Sequence, residues 1–206
     1  MSIRPDHWNR VYGGSKSEDL GWHQASIATL DLVVEFSTSS SAVIDVGGGD
    51  SRLIDVLLDR GYSDITVLDV STLALARAQE RLGERGHAVE WVEADITEWT
   101  PERTWDLWHD RAVFHFLTGA DDRRAYVDAT RAALGPGGVL VIATFAPDGP
   151  DMCAGLPVRR YDPHALVAEF SAGFEELWSG ELPPAATTEG DQRPFVAAVL
   201  RRQAPG

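Results

Sequence analysis

Residues 43–50 form an apolar, β-branched run that leads directly into three glycines, Val-Ile-Asp-Val-Gly-Gly-Gly-Asp. The backbone of such a turn can bend sharply and lie close to a ligand, because glycine has no Cβ atom. The helix that we expect from about Ser51 offers unpaired N–H groups at the same place. The pattern predicts a nucleotide-type cofactor site at Gly47, Gly48 and Gly49, although a plain tight turn after a strand has the same sequence.

Two acidic residues farther along the chain strengthen this prediction. Asp69 ends the predicted second strand, and Asp95 follows the predicted third strand in the run Ala94-Asp95-Ile96. Parallel strands end at one edge of a sheet, where ligands of such folds bind. We therefore expect the Asp69 carboxylate to accept both ribose hydroxyl protons. Asp95 is expected to accept from an adenine amino group while Ile96 packs against the ring.

The sequence departs from the dinucleotide pattern G-x-G-x-x-G, and this bears on the cofactor. Arg52 stands where the last glycine of that pattern is required, which disfavours NAD. Asp45 lies two residues before Gly47, where a carboxylate suits a ligand with a cationic amino group and no pyrophosphate to repel. S-adenosylmethionine is such a ligand, so the residues favour it. A helix-capping or loop-bonding aspartate is the alternative for Asp45.

Short apolar runs alternate with helical patterns along the chain, which predicts βαβ units around a mostly parallel sheet, an α/β fold. Strands are predicted over residues 42–46, 65–69, 89–93, 106–109, 139–145 and 195–200, and helices near residues 52–60, 71–85, 121–134 and 163–170. Gly61, Gly86 and Gly135 each follow a helical pattern at the place of a left-handed capping residue. The run 134–138, Leu-Gly-Pro-Gly-Gly, is predicted to be a turn before the fifth strand.

We expect residues 1–206 to form one domain, because a chain of this length with 44% hydrophobic residues can build a self-sufficient core. The net charge of −14, with no lysine- or arginine-rich face, argues against nucleic acid and an anionic membrane as partners. Cys153 is the sole cysteine, so no intrachain disulfide forms, and no apolar leader or membrane span is visible. We therefore expect a cytoplasmic protein, whose oligomeric state the sequence leaves open.

The order of these motifs resembles that of the class I S-adenosylmethionine-dependent methyltransferases over most of the chain. The likeness rests on Ile-Asp-Val-Gly-Gly-Gly at 44–49, Leu-Asp-Val-Ser at 68–71, Glu-Ala-Asp-Ile at 93–96, Asp-Leu-Trp-His-Asp at 106–110 and Leu-Gly-Pro-Gly-Gly at 134–138. The resemblance implies a Rossmann-like, mostly parallel sheet flanked by helices on both faces. It also implies S-adenosylmethionine as cofactor and S-adenosylhomocysteine as product.

The resemblance further implies a role for each of the first three runs. The first would contact the methionine moiety through Asp45 and the three glycines, and the second would contact the ribose through Asp69 and Val70. The third would contact the adenine through Ala94, Asp95 and Ile96. Asp50 departs from the family pattern, because it stands where a final glycine is frequent, so we expect a slightly different loop shape.

Two segments precede the first strand, one around residues 6–12 and one from 22 to 36, and they lie outside the βαβ pattern. Residues 1–37 are therefore expected to form a helical lid. Trp8, Tyr12 and Trp22 resemble lid aromatics of thiopurine-type thiol methyltransferases, which implies that they cover the cofactor. Aromatic faces stabilise a sulfonium cation, although aromatic anchors of amphipathic helices would give the same pattern.

Residues 108–116 hold the catalytic candidates, because they leave the fourth strand at the ligand-binding edge. His109, Asp110 and His115 are predicted as candidate proton acceptors. Asp110 is also expected beside the cofactor, and Arg111 is expected to contact the substrate. Histidine has the only unperturbed pKa near neutrality, but a hydrogen-bonded core histidine is the alternative at both positions. A base matters for a hydroxyl or ammonium acceptor and little for a thiol.

The run 145–157 is rich in glycine and proline, so we expect an irregular loop beside the acceptor pocket. Together with Arg-Arg-Tyr-Asp at 159–162 and Gln-Arg-Pro-Phe at 192–195, it is similar to bacterial small-molecule methyltransferases of the trans-aconitate type. Arg159 is a candidate clamp for an acceptor carboxylate, with a solvated surface arginine as the alternative. No metal site is predicted.

Methyl transfer to a sulfur, oxygen or nitrogen atom of a small molecule is the leading prediction from these features. A protein-lysine methyltransferase is the second, since lysine-modifying relatives share this lid and motif order; it requires an open groove with an acidic rim. A cofactor-binding regulatory protein without turnover is the third. The sequence leaves the acceptor and the methylated atom open.

Overall fold

A computed structural model describes residues 5–14, 28–183, 185–186 and 192–204. In chain order its strands are β1 Ala42–Val46, β2 Asp64–Asp69, β3 Val89–Glu93, β4 Trp105–Arg111, β5 Leu134–Phe145, β6 Met152–Cys153, β7 Leu156–Pro157, β8 Phe174–Glu181, β9 Ala185–Ala186, β10 Gln192–Arg193 and β11 Phe195–Arg202. Its α-helices are α1 Pro5–Gly14, α2 Leu30–Glu35, α3 Leu53–Asp59, α4 Thr72–Leu82, α5 Ala120–Ala133 and α6 Pro163–Glu169. Short 3₁₀ helices lie at Gly83–Ala88 and Phe114–Phe116.

The main sheet has seven strands in the order β3-β2-β1-β4-β5-β11-β8. The pairs from β3 to β5 are parallel, whereas β11 pairs antiparallel with both β5 and β8. The predicted α/β fold with a mostly parallel sheet is therefore confirmed. The strand order reverses between β1 and β4, and ligands of doubly wound sheets bind at the carboxyl ends of the strands beside such a reversal.

Helices cover both faces of this sheet, as predicted. On one face, Ile44 and Val46 of β1 belong to a core that includes Tyr126 of α5 and Phe170, the residue after α6. On the other face, Val43 belongs to a core with buried residues of α2, α3 and α4. β1 is thus enclosed on both sides, which explains its nearly continuous apolar sequence.

The predicted helix ends agree with the structure at only one of three glycines. Gly61 follows α3 with a φ of +81°. The helix α4 ends at Gly83, whose φ is +55°, because this glycine comes directly after the last buried turn; Gly86 lies inside the following 3₁₀ helix. Gly135 has no left-handed φ, whereas Gly137 has a φ of +85°. The predictions for Gly86 and Gly135 were wrong.

The run 134–138 belongs to β5, and the prediction of a separate turn was wrong. Trp105 pairs with Leu134 and Leu107 pairs with Val139, so a step of two residues along β4 matches a step of five along β5. The two strands pair before and after the glycines, so the extra residues of β5 form a bulge.

The sequence patterns do not predict β8, whose burial is mixed along Phe174–Glu181 because it is the edge strand of the sheet. They also place the fourth strand at residues 106–109, whereas β4 continues to Arg111. In the described part of the chain, no helix is long and apolar enough to cross a membrane.

Candidate active site

The glycine turn joins β1 to α3 and bends the chain around two carboxylates. Gly47 and Gly49 have φ values of +65° and +38°, which L side chains rarely adopt. A Cβ atom added to Gly48 would lie 2.7 Å from Asp45 Oδ2, and one added to Gly49 would lie 2.7 Å from Asp69 Oδ2. Side chains are therefore excluded from the turn by its neighbours as well as by its backbone, and the turn forms a cradle lined by carboxylates.

Asp69 ends β2, as predicted, with a buried carboxylate beside this turn. Its Oδ1 accepts from the backbone N–H of Ser71 at 2.8 Å, and the neighbouring Val70 is half-buried. Burial raises the pKa of Asp69 to about 7, and the charge of Asp45 adds to this, although backbone hydrogen bonds oppose it. Hydroxyl donors would favour the charged form of such a group, so it is suited to a diol.

The residues predicted to contact adenine lie together after β3. The N–H of Ala94 donates to the carbonyl of Asp69 at 3.1 Å, so the ends of the two strands stay together. Asp95 Oδ1 accepts from the backbone N–H of Thr97 at 2.9 Å and from its hydroxyl at 2.7 Å, while Ile96 is buried in the core. A local turn thus fixes Asp95 at the edge of the sheet.

Helix α1 crosses this edge from the start of α4 to the loop after β5. Asn9 Oδ1 accepts from the hydroxyl of Ser71 at 2.8 Å. Two residues earlier, His7 Nε2 lies 3.0 Å from the carbonyl oxygen of Ala154 and donates to it. The helix therefore covers the space between the strand ends.

Two of the three predicted lid aromatics lie in α1. The Trp8 ring packs edge-on against Phe116, with centroids 5.1 Å apart. Tyr12 is buried, and a Cβ atom added to Gly49 would lie 3.2 Å from its hydroxyl oxygen. Both aromatics thus reach the site, whereas Trp22 lies among residues 15–27, outside the described residues.

His109 pairs with Asp45 across β4 and β1. Its Nδ1 lies 2.7 Å from Asp45 Oδ1, and its Nε2 lies 2.7 Å from Thr29 Oγ1 at the start of α2. All three side chains are buried. Because both ring nitrogens are bonded inside the protein, this arrangement disfavours His109 as a proton acceptor for a substrate.

Asp110 holds the turn that follows β4. Its carboxylate accepts from the backbone N–H groups of Val113 at 2.8 Å and Phe114 at 3.0 Å, and from the Tyr126 hydroxyl at 2.5 Å. Burial raises the pKa of Asp110 to about 6, although these bonds oppose it. With three donors on its two oxygens, Asp110 supports the loop, and this geometry disfavours it as a base.

The turn held by Asp110 forms a second wall of the site. Ala112 has a φ of +74°, which costs a non-glycine residue about 1–3 kcal/mol and is typical of functional sites. Val113 then lies against the glycine turn, where a Cβ atom added to Gly47 would overlap its Cγ2. The end of β4 therefore shapes the cradle made by β1.

His115 lies in the 3₁₀ helix after this turn and is fully buried. Its ring centroid is 4.4 Å from that of Phe116 and 4.7 Å from that of Phe145. In the part of the chain that the structure describes, neither ring nitrogen has a hydrogen-bond partner. Burial, with the charge of Arg111, lowers the pKa of His115 to about 3. The ring is therefore neutral near pH 7 and is a weak base.

The loop after β5 borders a cleft of about 450 Å³. The lining residues are Asp148, Gly149, Pro150, Met152, Cys153, Ala154, Arg193 and Pro194. Burial raises the pKa of the Cys153 thiol, and the charges of Arg193 and Arg111 oppose this, so both arginines lie close enough to Cys153 to act on its charge. Arg111 also lies over Phe195, 5.9 Å from its ring centroid. The loop is more regular than predicted, because β6 and β7 pair as a small hairpin.

Arg159 does not lie in this cleft lining. Its side chain is half-exposed, and its Nε lies 3.6 Å from Glu169 Oε1. Its guanidinium carbon is 5.2 Å from the centroid of the Tyr161 ring. Arg159 thus shares Glu169 with Arg123, which lies nearer at 3.0 Å, and its place outside the cleft lining disfavours the predicted carboxylate clamp.

Several residues that shape the site have no local sequence signal. Arg81 of α4 forms an ion pair with Asp50 and donates to the carbonyl of Ser51 at 2.7 Å, so it ties the end of the glycine turn to α4. Three other residues likewise contact elements far away in the chain, namely Asn9, Thr29 and Val113. Asp50 therefore has an ionic partner in α4 at the place where the family pattern often has a glycine.

Comparison with known proteins agrees with this arrangement. Residues 44–140 match the family described as "Methyltransferase domain". The trans-aconitate 2-methyltransferase of Paracidovorax citrulli is 33% identical over 139 residues, 66% of this chain and 46% of that protein. The eEF1A lysine and N-terminal methyltransferase of Mus musculus is 23% identical over 109 residues, 52% of this chain and 16% of that protein. This chain thus spans less than half the length of these relatives.

The fold is also similar to that of solved structures. One is the 1,6-didemethyltoxoflavin-N1-methyltransferase of Burkholderia thailandensis, solved with 1,6-didemethyltoxoflavin and S-adenosylhomocysteine bound. It superposes with a TM-score of 0.69 and 21% identity, covering 97% of this chain and 84% of that one. The likeness extends to the strands and helices outside residues 44–140.

Proposed function

We propose that this chain, which belongs to the class I S-adenosylmethionine-dependent methyltransferases, transfers the methyl group of this cofactor to a small-molecule acceptor. One observation carries the choice of acceptor. α1 crosses the carboxyl edge of the sheet between Ser71 and Ala154, so it covers the approach to the glycine turn. A relative named for trans-aconitate supports a small acceptor as well.

The carboxylates beside the glycine turn fit the polar parts of S-adenosylmethionine. Asp45 Oδ2 is buried without a hydrogen-bond partner in the described residues and faces Gly48. We assign it to the cationic amino group, which would satisfy that oxygen. Asp69, whose pKa burial raises to about 7, is assigned to the two ribose hydroxyls. Gly47 and Gly49 keep the backbone close to the cofactor.

The remaining cofactor contacts in this proposal come from the strand ends and from α1. Asp95 accepts from the adenine amino group. The adenine ring packs against three apolar residues near Asp95, namely Val70, Ala94 and Ile96. Trp8 and Tyr12 of α1 lie over the site, where aromatic faces stabilise a sulfonium by about 0.5–2 kcal/mol each. Trp22 keeps the role implied by the lid resemblance, as a prediction.

When bound, S-adenosylmethionine would supply an activated methyl group on its sulfonium, with S-adenosylhomocysteine as the leaving group and water or a base as the destination of any acceptor proton. The residues of this chain align the acceptor and exclude water. The charge of Arg111 of β4 acts on Cys153, which lines the cleft, and Arg111 is assigned to the acceptor. His109, Asp110 and His115 are each poorly suited as bases, for the reasons given above. This favours an acceptor that needs none, such as a thiol.

A protein-lysine acceptor would require an open groove, and the position of α1 across the edge disfavours it. Single-turnover transfer from methyl-labelled S-adenosylmethionine separates the candidates. We expect label on members of a panel of small thiols, carboxylic acids and amines. Label only on lysine peptides would overturn the small-molecule proposal. Tight cofactor binding with no labelled product would instead indicate a regulatory protein.

A further inference from the structure

A buried hydrogen-bonded chain, Thr29–His109–Asp45, connects α2 to the glycine turn through β4. A carboxylate only accepts, so His109 Nδ1 carries the proton that it shares with Asp45 Oδ1. Nε2 of the neutral ring then accepts from the Thr29 hydroxyl, and in the charged ring it donates to the same oxygen. A hydroxyl serves both roles, so the chain persists in either state of the ring.

The two oxygens of Asp45 differ in their surroundings. Oδ1 is bonded to His109, whereas Oδ2 is buried, without a hydrogen-bond partner among the described residues, and faces Gly48. A carboxylate with one oxygen held has a fixed direction for the other. His109 therefore determines where the unsatisfied oxygen points.

The far end of the chain lies at the boundary of α2. Thr29 is fully buried directly before Leu30–Glu35, and its carbonyl accepts from the N–H of Val33 at 3.0 Å. The first turn of α2 is thus bonded to the same ring that holds Asp45. A ligand that fixes Asp45 would also restrict this turn, because no solvent-exposed group intervenes.

We propose that His109 is a positioning residue for the cofactor: it aims Asp45 Oδ2 at the glycine turn and transmits cofactor binding to the first turn of α2. The inference rests on the cofactor of the family and is independent of the acceptor. His109 touches neither acceptor nor reacting atoms in this role. His109 therefore acts by holding Asp45 in place and not as a catalytic base.

Four variants test the chain. His109→Leu removes both bonds, whereas His109→Asn keeps an amide N–H near the place of Nδ1 and loses the reach to Thr29. Thr29→Val removes only the hydroxyl. Thr66→Val is the matched control, because Thr66 is also a fully buried threonine, with a hydroxyl that accepts from Trp105 Nε1 at 2.9 Å, on β2. The probe is S-adenosylhomocysteine, measured by calorimetry and by hydrogen exchange at amides 30–33.

We expect His109→Leu to bind about 10- to 100-fold more weakly, and His109→Asn to stay within about threefold of the wild type. Thr29→Val should stay within about threefold but lose the ligand-induced exchange protection of amides 30–33, which Thr66→Val retains. Wild-type affinity in folded His109→Leu would overturn the proposal, as would unchanged protection in Thr29→Val. If His109→Leu does not fold, the other two variants decide. Loss of binding in folded His109→Asn, or full protection of amides 30–33 in Thr29→Val, would contradict the proposal.

Discussion

The strand ends of β1, β2 and β3 and those of β4, β5 and β11 use their polar residues differently. In the first group, which we term the β1–β3 half, Asp45, Asp69 and Asp95 lie at or just after the ends of adjacent strands. In the second, the β4–β11 half, His109 and Asp110 are hydrogen-bonded within the protein. In our proposal the acids of the first half bind the cofactor, whereas the polar groups of the second half act as internal supports.

This difference separates the two tasks of a methyl transfer. The cofactor is the same throughout the family, so its contacts can lie on strand ends, which neighbouring strands hold in place. The acceptor differs between members, and we propose that the β4–β11 half binds it through the hairpin loop around Cys153 and through Arg111. Loops on a rigid scaffold are where binding specificity is generally placed.

Removing the acid at the end of β2 should have the largest effect. We expect Asp69→Ala to weaken S-adenosylhomocysteine binding by about 1.5–3 kcal/mol, roughly 10- to 150-fold, because two ribose hydroxyls lose a charged acceptor. Asp64→Ala is the control: Asp64 begins the same strand and pairs with Arg103 at 2.7 Å, far from the glycine turn. Calorimetric titration gives both constants. Equal affinities in the two variants would remove Asp69 from the site and contradict the cofactor-binding role of the β1–β3 half.

A side chain in the glycine turn should have the next largest effect. Gly48→Ala places a Cβ atom 2.7 Å from Asp45 Oδ2, and such overpacking lowers the free energy of unfolding by about 1–3 kcal/mol. Because the displaced carboxylate would lose its charged hydrogen bond to the cofactor, affinity should also fall roughly 10- to 100-fold. Gly135→Ala is the control, because a Cβ atom there meets only Thr104 Oγ1, at 4.0 Å. Binding isotherms and thermal unfolding should show lost affinity in the first and wild-type affinity in the second. Normal binding by Gly48→Ala would mean that the turn is structural only.

The pH dependence of cofactor affinity should be smaller. Burial raises the pKa of Asp69 to about 7 in the ligand-free protein, and the ribose hydroxyls bind its charged form. Affinity should therefore rise with pH through about 7 and be roughly tenfold higher at pH 8 than at pH 6, with a proton released on binding.

Calorimetry in buffers of different ionisation enthalpy measures both quantities. Asp69→Asn should bind weakly with a flat profile between pH 6 and 8. A slope that persists in this variant would assign the titration to another group, such as Asp110, whose pKa burial raises to about 6.

The smallest effect is expected in the β4–β11 half. His115→Leu removes two buried nitrogens without partners in the described residues, so the free energy of unfolding should be unchanged or slightly higher. Turnover with the best acceptor should fall by less than about tenfold, because a ring with a pKa of about 3 is a weak base at neutral pH. The pH profile of kcat for wild type and variant checks this. A thousandfold loss of kcat would contradict the supporting role of the polar groups in the β4–β11 half, since turnover would then depend on a single side chain there.

What the sequence could predict follows from how local each signal is. The glycine turn, Asp69 and Asp95 come directly after apolar strand patterns, and the period of a strand places its end within a residue or two. The carboxyl edge that joins them follows from parallel topology alone. These features required no knowledge of distant contacts.

The other parts of the site depend on contacts between remote segments. Thr29 meets His109 from 80 positions away, and Asn9 meets Ser71 from 62. His109 and Asp110 follow β-strand patterns that suit a catalytic or a supporting role equally well, and only their partners distinguish the two. The bulge at 134–138 was hidden for a similar reason, because Gly-Pro-Gly-Gly is typical of both a turn and a bulge.

The position of β11 has a consequence for how the polypeptide assembles. β8 precedes β11 in the chain but joins the main sheet only through it, and β5 also pairs with β11. While residues 195–202 emerge from the ribosome, β5 keeps an unpaired edge and β8 has no place in the main sheet. Such edges promote association with other chains, and closing them requires contacts between distant segments, which form slowly. The half that receives the acceptor in our proposal is therefore the last to be completed.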